Sequence, residues 1–237
     1  MGNDTDMIEK ALTEDIINTK VDSAEAIRRA NKLYYRVVKR IFDIFVSIFG
    51  LLFLLPITLI IKIAYMCTGD FNKIIFTQKR IGKDGKEFNF YKFRSMIPNA
   101  DEELKKLLKS NKKLAEEYKE NKKLKNDPRI TKIGKFIRKT SIDELPQLLN
   151  VLLGNMTMIG NRPYLPREKE DMRMYYNSII ATKPGITGYW QVSGRNNVTF
   201  QTRLQLEKYY SENCGLNMDI KIFFKTFKVV LFRHGAE

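Results

Sequence analysis

The sequence predicts a small domain of mixed helices and strands joined to one membrane-inserted helix. Three observations lead there. The run from Ile44 to Ile61 carries no charged residue. At about 1.5 Å per residue it reaches about 27 Å, close to the thickness of a bilayer's hydrocarbon core. Two short β-rich runs, 74–78 and 88–93, flank Gly82-Lys83-Asp84-Gly85, whose Asp-Gly pair favours a hairpin turn. Further along, Leu145, Leu148, Leu149 and Leu152 recur at helical spacing, and Gly154 follows as a stop.

Taken in order, residues 1–35 form a polar tail of mixed charge, and residues 36–65 form the membrane-inserted segment. A core helix of this length normally shows a polar face, and this one does not. The polar residues before it, and the lack of a small-residue cleavage site after it, argue against a signal peptide. Pro56 interrupts the run and predicts a kink. Arg36, Lys39 and Arg40 lie before it and Lys62, Lys73, Lys79 and Arg80 after it, so charge does not orient it. Two arrangements remain open on the residues alone: a kinked single pass, or a hairpin that enters and leaves one face.

Residues 66–237 form the remaining domain. After the hairpin comes a charged stretch, 99–126, where Leu104, Leu107, Leu108, Leu114 and Tyr118 recur at roughly helical spacing, as in a solvent-facing helix or helix pair. Residues 167–182 read as helical. Pro184-Gly185 and Ser193-Gly194 mark turns around Trp190. At the C-terminus Ile220, Phe223, Phe224, Phe227, Val230 and Leu231 form one apolar stripe, with Lys221, Lys225 and Lys228 on another face. That pattern suits a helix lying in a membrane interface, and equally one covering a core.

Composition limits the chemistry. The 237 residues hold 42 Lys+Arg against 27 Asp+Glu, a formal charge of +15. Nucleic acid, anionic lipid and a phosphorylated substrate would all answer such an excess. Cys67 and Cys214 show no metal-ligand spacing, and a reducing compartment is the simpler reading. The single histidine, His234, leaves acid–base and nucleophilic work to carboxylates, Lys, Tyr, Ser or Cys. Glycine-rich phosphate loops and zinc motifs are missing from the sequence, and Asp4-Thr5-Asp6 lies in the tail.

The richest segment is 127–163. Asp143-Glu144 opens the leucine-striped helix. As plain structure, Asp143 would be its N-cap, with Pro146 in the first turn. As chemistry, two carboxylates stand among Lys132, Lys135, Arg138 and Lys139, with Arg162 beyond. Arginine grips phosphate bidentately, and a carboxylate there can attack phosphorus once cations screen the repulsion.

The motifs together resemble the bacterial sugar transferase family, the polyprenyl-phosphate glycosyl-1-phosphate transferases or monotopic phosphoglycosyl transferases. The similarity covers residues 36–235. It rests on the apolar segment with Pro56, Tyr91-Lys92-Phe93-Arg94-Ser95-Met96, Asp127-Pro128-Arg129-Ile130-Thr131, Arg138, Ser141-Ile142-Asp143-Glu144-Leu145-Pro146-Gln147, Asn150-Val151-Leu152 and Arg162-Pro163. It continues through Lys183-Pro184-Gly185-Ile186-Thr187-Gly188, Trp190-Gln191-Val192-Ser193-Gly194-Arg195 and Asp219-Ile220-Lys221.

The resemblance implies an α/β fold: a small mixed cytoplasmic domain with amphipathic interfacial helices, anchored in the bacterial inner membrane by a re-entrant helix hairpin broken at Pro56. It is to the short form of the family, without a multi-helix membrane domain. It implies transfer of a sugar 1-phosphate from a UDP-sugar to polyprenyl (undecaprenyl) phosphate with release of UMP, at the start of exopolysaccharide, capsule or O-antigen synthesis. Asp143 would be the nucleophile, Glu144 an assisting base, and Mg²⁺ would sit beside Asp143. Arg138 and Arg162 would hold phosphate oxygens. Lys92, Arg94, Gln191 and Arg195 are further substrate-site candidates. The Trp-Gln-Val-Ser-Gly-Arg stretch resembles that of hexose-phosphate transferases. Asn161 stands where the family usually has a proline, which would leave that loop less rigid. A homodimer is left open. The competing reading is a non-catalytic basic module that binds anionic lipid or an acidic partner. Nucleic-acid binding leaves the apolar helix and carboxylate pair unexplained.

Overall fold

The computed structural model describes Arg28 and residues 31–121, 124–193 and 198–232. Helix α1, Leu33–Cys67, runs without interruption through Pro56. The resemblance implies a break at Pro56, and the helix is continuous across that residue. A proline removes one backbone donor and crowds the preceding turn, yet such a break is tolerated where neighbouring groups take up the freed backbone. Two residues on, Thr58 Oγ1 donates to the Leu54 carbonyl at 2.6 Å, a side-chain bond back into the same helix. The helix also begins and ends beyond the expected 36–65.

One stripe of α1 faces the domain: Tyr35, Asp43, Ser47, Ile61 and Tyr65 are buried. The opposite side is apolar and bare, with Leu55 79%, Phe45 71% and Leu52 68% exposed. A bare face of this size is stable only in contact with lipid or another apolar surface.

Strands β1, Ile75–Ile81, and β2, Glu87–Phe93, form the expected antiparallel hairpin, with Phe76 opposite Lys92 and Arg80 opposite Phe88. Its turn needs left-handed backbone, supplied by Asp84 at φ 57° and Gly85 at φ 76°. The charged stretch folds into α2, Ala100–Ser110, and α3, Lys112–Asn121. Then come α4, Lys132–Lys139, a 3₁₀ turn at Ile142–Glu144, and α5, Gln147–Leu152, which ends ahead of Gly154 at φ 83°.

A second sheet escapes sequence patterning: β3, Thr157–Ile159, lies parallel to β4, Gly185–Thr187. Three-residue strands are too short for an alternation signal. The region 167–182, expected as helical, forms α6, Lys169–Met172, a 3₁₀ turn and α7, Tyr176–Ile180. The break falls at Arg173, which has φ 46°. The Trp190 stretch forms α8, Tyr189–Ser193. Helices α9, Phe200–Asn213, and α10, Leu216–Phe232, complete the described fold. The expected α10 stripe divides: Phe223 packs at the core beside buried Ile222, while Ile220, Phe224 and Phe227 face outward.

Helix α1 enters two of the four core clusters. Tyr35 packs with Ile159, Tyr210, Cys214 and Ile222, while Ile61 and Tyr65 pack with Ile74, Phe93 and Ile137. Polar contacts add to this. Lys39 pairs with Asp219, whose carboxylate also accepts the Tyr35 and Tyr210 hydroxyls, each at 2.8 Å. Both ends of the apolar helix therefore rest on one domain.

Candidate active site

Asp143 sits in the 3₁₀ turn between α4 and α5 and is 7% exposed. It is not the N-cap of the leucine helix, because Pro146 occupies that position. The turn instead continues into α5, with Leu145 N donating to Ile142 O and Leu149 N to Pro146 O. Ser141 enters the turn in the left-handed region at φ 56°, an uncommon conformation for a non-glycine residue and one often kept at functional sites. Glu144, the next carboxylate, is exposed.

Helix α1 holds this segment from behind. Arg40 donates to the Val151 and Leu152 carbonyls at 2.6 and 2.7 Å, capping the C-terminus of α5. Asp43 accepts the Thr157 hydroxyl at 3.0 Å and the Met158 N–H at 2.8 Å, fixing β3. Gly50 leaves room for Leu148, since a Cβ there would lie 2.6 Å from Leu148 Cδ1. Helix α1 thus positions the helix that follows the candidate nucleophile.

Arg138 and Lys92 supply positive charge beside Asp143. Arg138, in the last turn of α4, donates from Nε to Ser95 Oγ at 2.8 Å. Burial lowers its pKa, opposed first by Asp143 and then by Asp127. Helix α4 reaches this place because Gly134 lies against the backbone of Ser95: a Cβ on Gly134 would fall 1.8 Å from Ser95 O. Lys92, half-buried on β2, has its pKa pushed down to about 8 by burial, with Arg138 adding to the fall and Asp143 opposing it. Asp127 is tied to Arg129 at 2.8 and 2.5 Å, and Arg129 donates to the Ala100 carbonyl at 3.0 Å. This pair holds the start of α2.

The other expected site residues divide. Arg94 belongs to the framework: it donates to Lys73 O at 2.9 Å, Met96 O at 3.1 Å and Asp70 at 2.8 Å, and lies over the Tyr65 ring. Those contacts hold the end of α1 to the end of β2. Arg162 lies beside Trp190, its guanidinium carbon 5.7 Å from the centre of that ring. Gln191, on the helix of Trp190, has a buried Oε1 without a hydrogen-bond partner. Arg195 falls outside the described residues.

Around Arg162 lies a second charged group that motif reading missed. Arg203 Cζ is 5.0 Å from the Trp190 ring centre, and Arg80 Nη1 donates to Pro163 O at 3.0 Å. Glu207 accepts the Arg162 N–H at 2.9 and 3.1 Å, and burial pushes its carboxyl up to about 8. No spacing in the sequence links positions 80, 162, 190 and 203; only the fold does.

Asn161 does not loosen its loop as expected. Its Nδ2 donates to Ser211 Oγ at 2.6 Å and Ile179 O at 3.2 Å, and its carbonyl accepts the Gly185 N–H at 2.7 Å. Side-chain hydrogen bonds do here what a proline ring does elsewhere. The cavity beside it, about 10 Å³ and lined by Ile81, Asn161, Tyr164 and Met172, has room for one water and for no substrate.

Among the described residues no three acidic, His or Cys side chains cluster as a metal cage. Mg²⁺ needs no such cage, because it commonly takes one or two carboxylates and fills its shell with water and substrate phosphate. The buried Asp143 carboxylate, beside Glu144 in sequence, fits that mode of binding.

The model of a family described as bacterial sugar transferase matches residues 34–233. The undecaprenyl-phosphate galactose phosphotransferase of Salmonella typhimurium is 48% identical over 201 residues, which cover 85% of this chain and 42% of that protein. The exopolysaccharide production protein ExoY of Sinorhizobium fredii is 38% identical, covering 84% of this chain and 88% of that protein. The UDP-glucose:undecaprenyl-phosphate glucose-1-phosphate transferase of Klebsiella pneumoniae is 36% identical, covering 80% and 39%. The chain thus spans less than half of the first relatives it matches and most of ExoY. With the family model matched along nearly its whole length, the chain belongs to the bacterial sugar transferase family.

Proposed function

We propose that this protein is a phosphoglycosyl transferase that moves a sugar 1-phosphate from a UDP-sugar to undecaprenyl phosphate at the membrane surface. The observation that carries the reading is Asp143: a buried carboxylate on a strained turn, electrostatically coupled to Arg138 and Lys92. Asp143 attacks the β-phosphorus of the donor. The bond from that phosphorus to the bridging oxygen breaks, UMP leaves, and the sugar phosphate remains on the carboxylate. An oxygen of the lipid phosphate then attacks the same phosphorus and frees Asp143. Glu144, exposed beside it, takes any proton that the lipid phosphate carries. Arg138 and Lys92 balance the charge that builds on the phosphoryl oxygens. When bound at Asp143, Mg²⁺ supplies further charge neutralisation on the same phosphate.

Helix α1 supports a placement on one face of the membrane. Its apolar face is bare, yet its two ends and its middle all touch the same domain. A helix crossing the bilayer would carry its ends to opposite faces and draw the polar elements α5 and β3 into hydrocarbon, where unpaired polar groups are costly. A helix that enters and leaves one leaflet, bending at Pro56, keeps the domain in water on the cytoplasmic side, where nucleotide sugars are made.

The test is UMP release by the purified protein in lipid, with a panel of UDP-sugars, undecaprenyl phosphate and Mg²⁺. Release with one donor and its loss in Asp143→Asn are expected. Wild-type release by Asp143→Asn would overturn the covalent step.

A further inference from the structure

The cluster centred on Arg162 holds more hydrogen-bond donors than the protein satisfies. Arg80 and Arg203 are 7% and 9% exposed. The Nε atoms of Arg80, Arg162 and Arg203 are all buried without a hydrogen-bond partner, and so is Trp190 Nε1. Each of these is a donor. The nearby carboxylates are already engaged: Glu207 accepts the backbone N–H of Arg162, and Glu168 accepts that of Leu165 at 2.7 Å. Arg162 repels both Arg80 and Arg203. Buried like charges with orphaned donors are costly unless an anion completes them. Guanidinium groups meet the oxygens of a phosphate in just this way, two N–H groups to one group.

Resting on the proposed transferase activity, we propose that Arg80, Arg162 and Arg203, with Trp190 beside them, form a cradle for a phosphate group. Arg80 and Lys92 lie on the same face of the β1–β2 hairpin, because Arg80 pairs with Phe88 and Lys92 with Phe76. Four residues of strand, about 13 Å, separate the two rows. Lys92 is coupled electrostatically to Asp143 and Arg138 and also to Arg80. Two phosphates meet in the proposed reaction, that of the leaving nucleotide and that of the acceptor lipid. The cradle keeps one of them engaged while Asp143 works on the donor's β-phosphorus.

The sequence holds a single tryptophan, and it is Trp190. Its fluorescence therefore reports on the cradle directly. The intact protein in detergent is titrated with UMP, with farnesyl phosphate as a soluble polyprenyl phosphate, and with inorganic phosphate. A saturable change is expected with UMP or with farnesyl phosphate; the tighter of the two names the source, and inorganic phosphate competes with it. Arg203→Lys keeps the charge and removes the Nε donor, and it should weaken binding about tenfold or more. Arg80→Lys is the second variant, with the same expectation, and circular dichroism confirms that each is folded. Wild-type affinity in a folded variant, or no saturable change with any of the three probes, overturns the cradle. Asp143→Asn separates this from the reading beneath it. If that variant loses UMP release while the lysine variants bind normally, only the cradle fails. If it retains release, the covalent reading fails whatever the titrations give.

Discussion

The corner around Asp143 draws Arg138, Asp143 and Glu144 from one short stretch and adds Lys92 from the hairpin. The cradle around Trp190 gathers Arg80, Arg162 and Arg203 from three distant segments, each carried on a different element or loop. Their polar groups are also treated differently. Arg138 is matched by Ser95 and faces a carboxylate, whereas the three cradle arginines keep unpartnered donors. The first region is assembled to react and the second to receive. Local chain geometry sets the first, and packing of α9 and α8 against β1 and the Arg162 loop sets the second.

The sharpest way to divide the two regions is Asp143→Asn. Turnover should fall at least about a thousandfold, as removal of a nucleophile does. The Trp190 response to ligand should stay unchanged. A loss of both, measured on the same preparation, would merge the two regions into one. Gly134→Ala comes next. The added methyl meets backbone rather than a side chain that can yield, so α4 must shift and carry Arg138 with it. A stability loss of about 3 kcal/mol is expected in denaturant melts, with activity lost beyond the fraction unfolded.

Lys92→Met tests the link between the regions. The ammonium has its pKa pushed down to about 8, so its charge is present below that pH and absent above it. Wild-type turnover should decline as pH rises through about 8. The variant should be about tenfold slower at neutral pH and should lack that alkaline limb. Because a buried cation is disfavoured, the variant should also be no less stable than wild type at pH 7. The smallest effect is that of Glu207→Gln. A carboxyl whose folded pKa is raised to about 8 holds its proton in the folded state while the unfolded chain has released it. Wild-type stability should therefore fall between about pH 4.5 and 8 from this group, and the variant should flatten that slope in thermal melts. An unchanged slope would mean that Glu207 ionises normally and sets a negative charge beside Arg162.

Arg138, Asp143 and Glu144 were legible in the chain, because they lie in one short stretch and the apolar periodicity of α5 follows it. The hairpin was legible for the same reason. Its Asp84-Gly85 turn and alternating flanks are local signals. Arg94 shows where that reasoning stops. Its motif neighbours suggested substrate, but Asp70 and the carbonyls of Lys73 and Met96 claim its donors, and no local pattern announces partners that sit across a helix end.

The sequence by itself determined the uncharged helix, the hairpin, the carboxylate pair and its place at the head of a leucine-striped helix, since each depends on residues close along the chain. Tertiary structure decided the rest. It joined both ends of α1 to one domain through Tyr35 and Tyr65, placed Lys92 beside Asp143, and brought Arg80, Arg162 and Arg203 around Trp190. Those outcomes depend on long-range packing and on where buried charges find partners, and neither quantity is written in the spacing of residues.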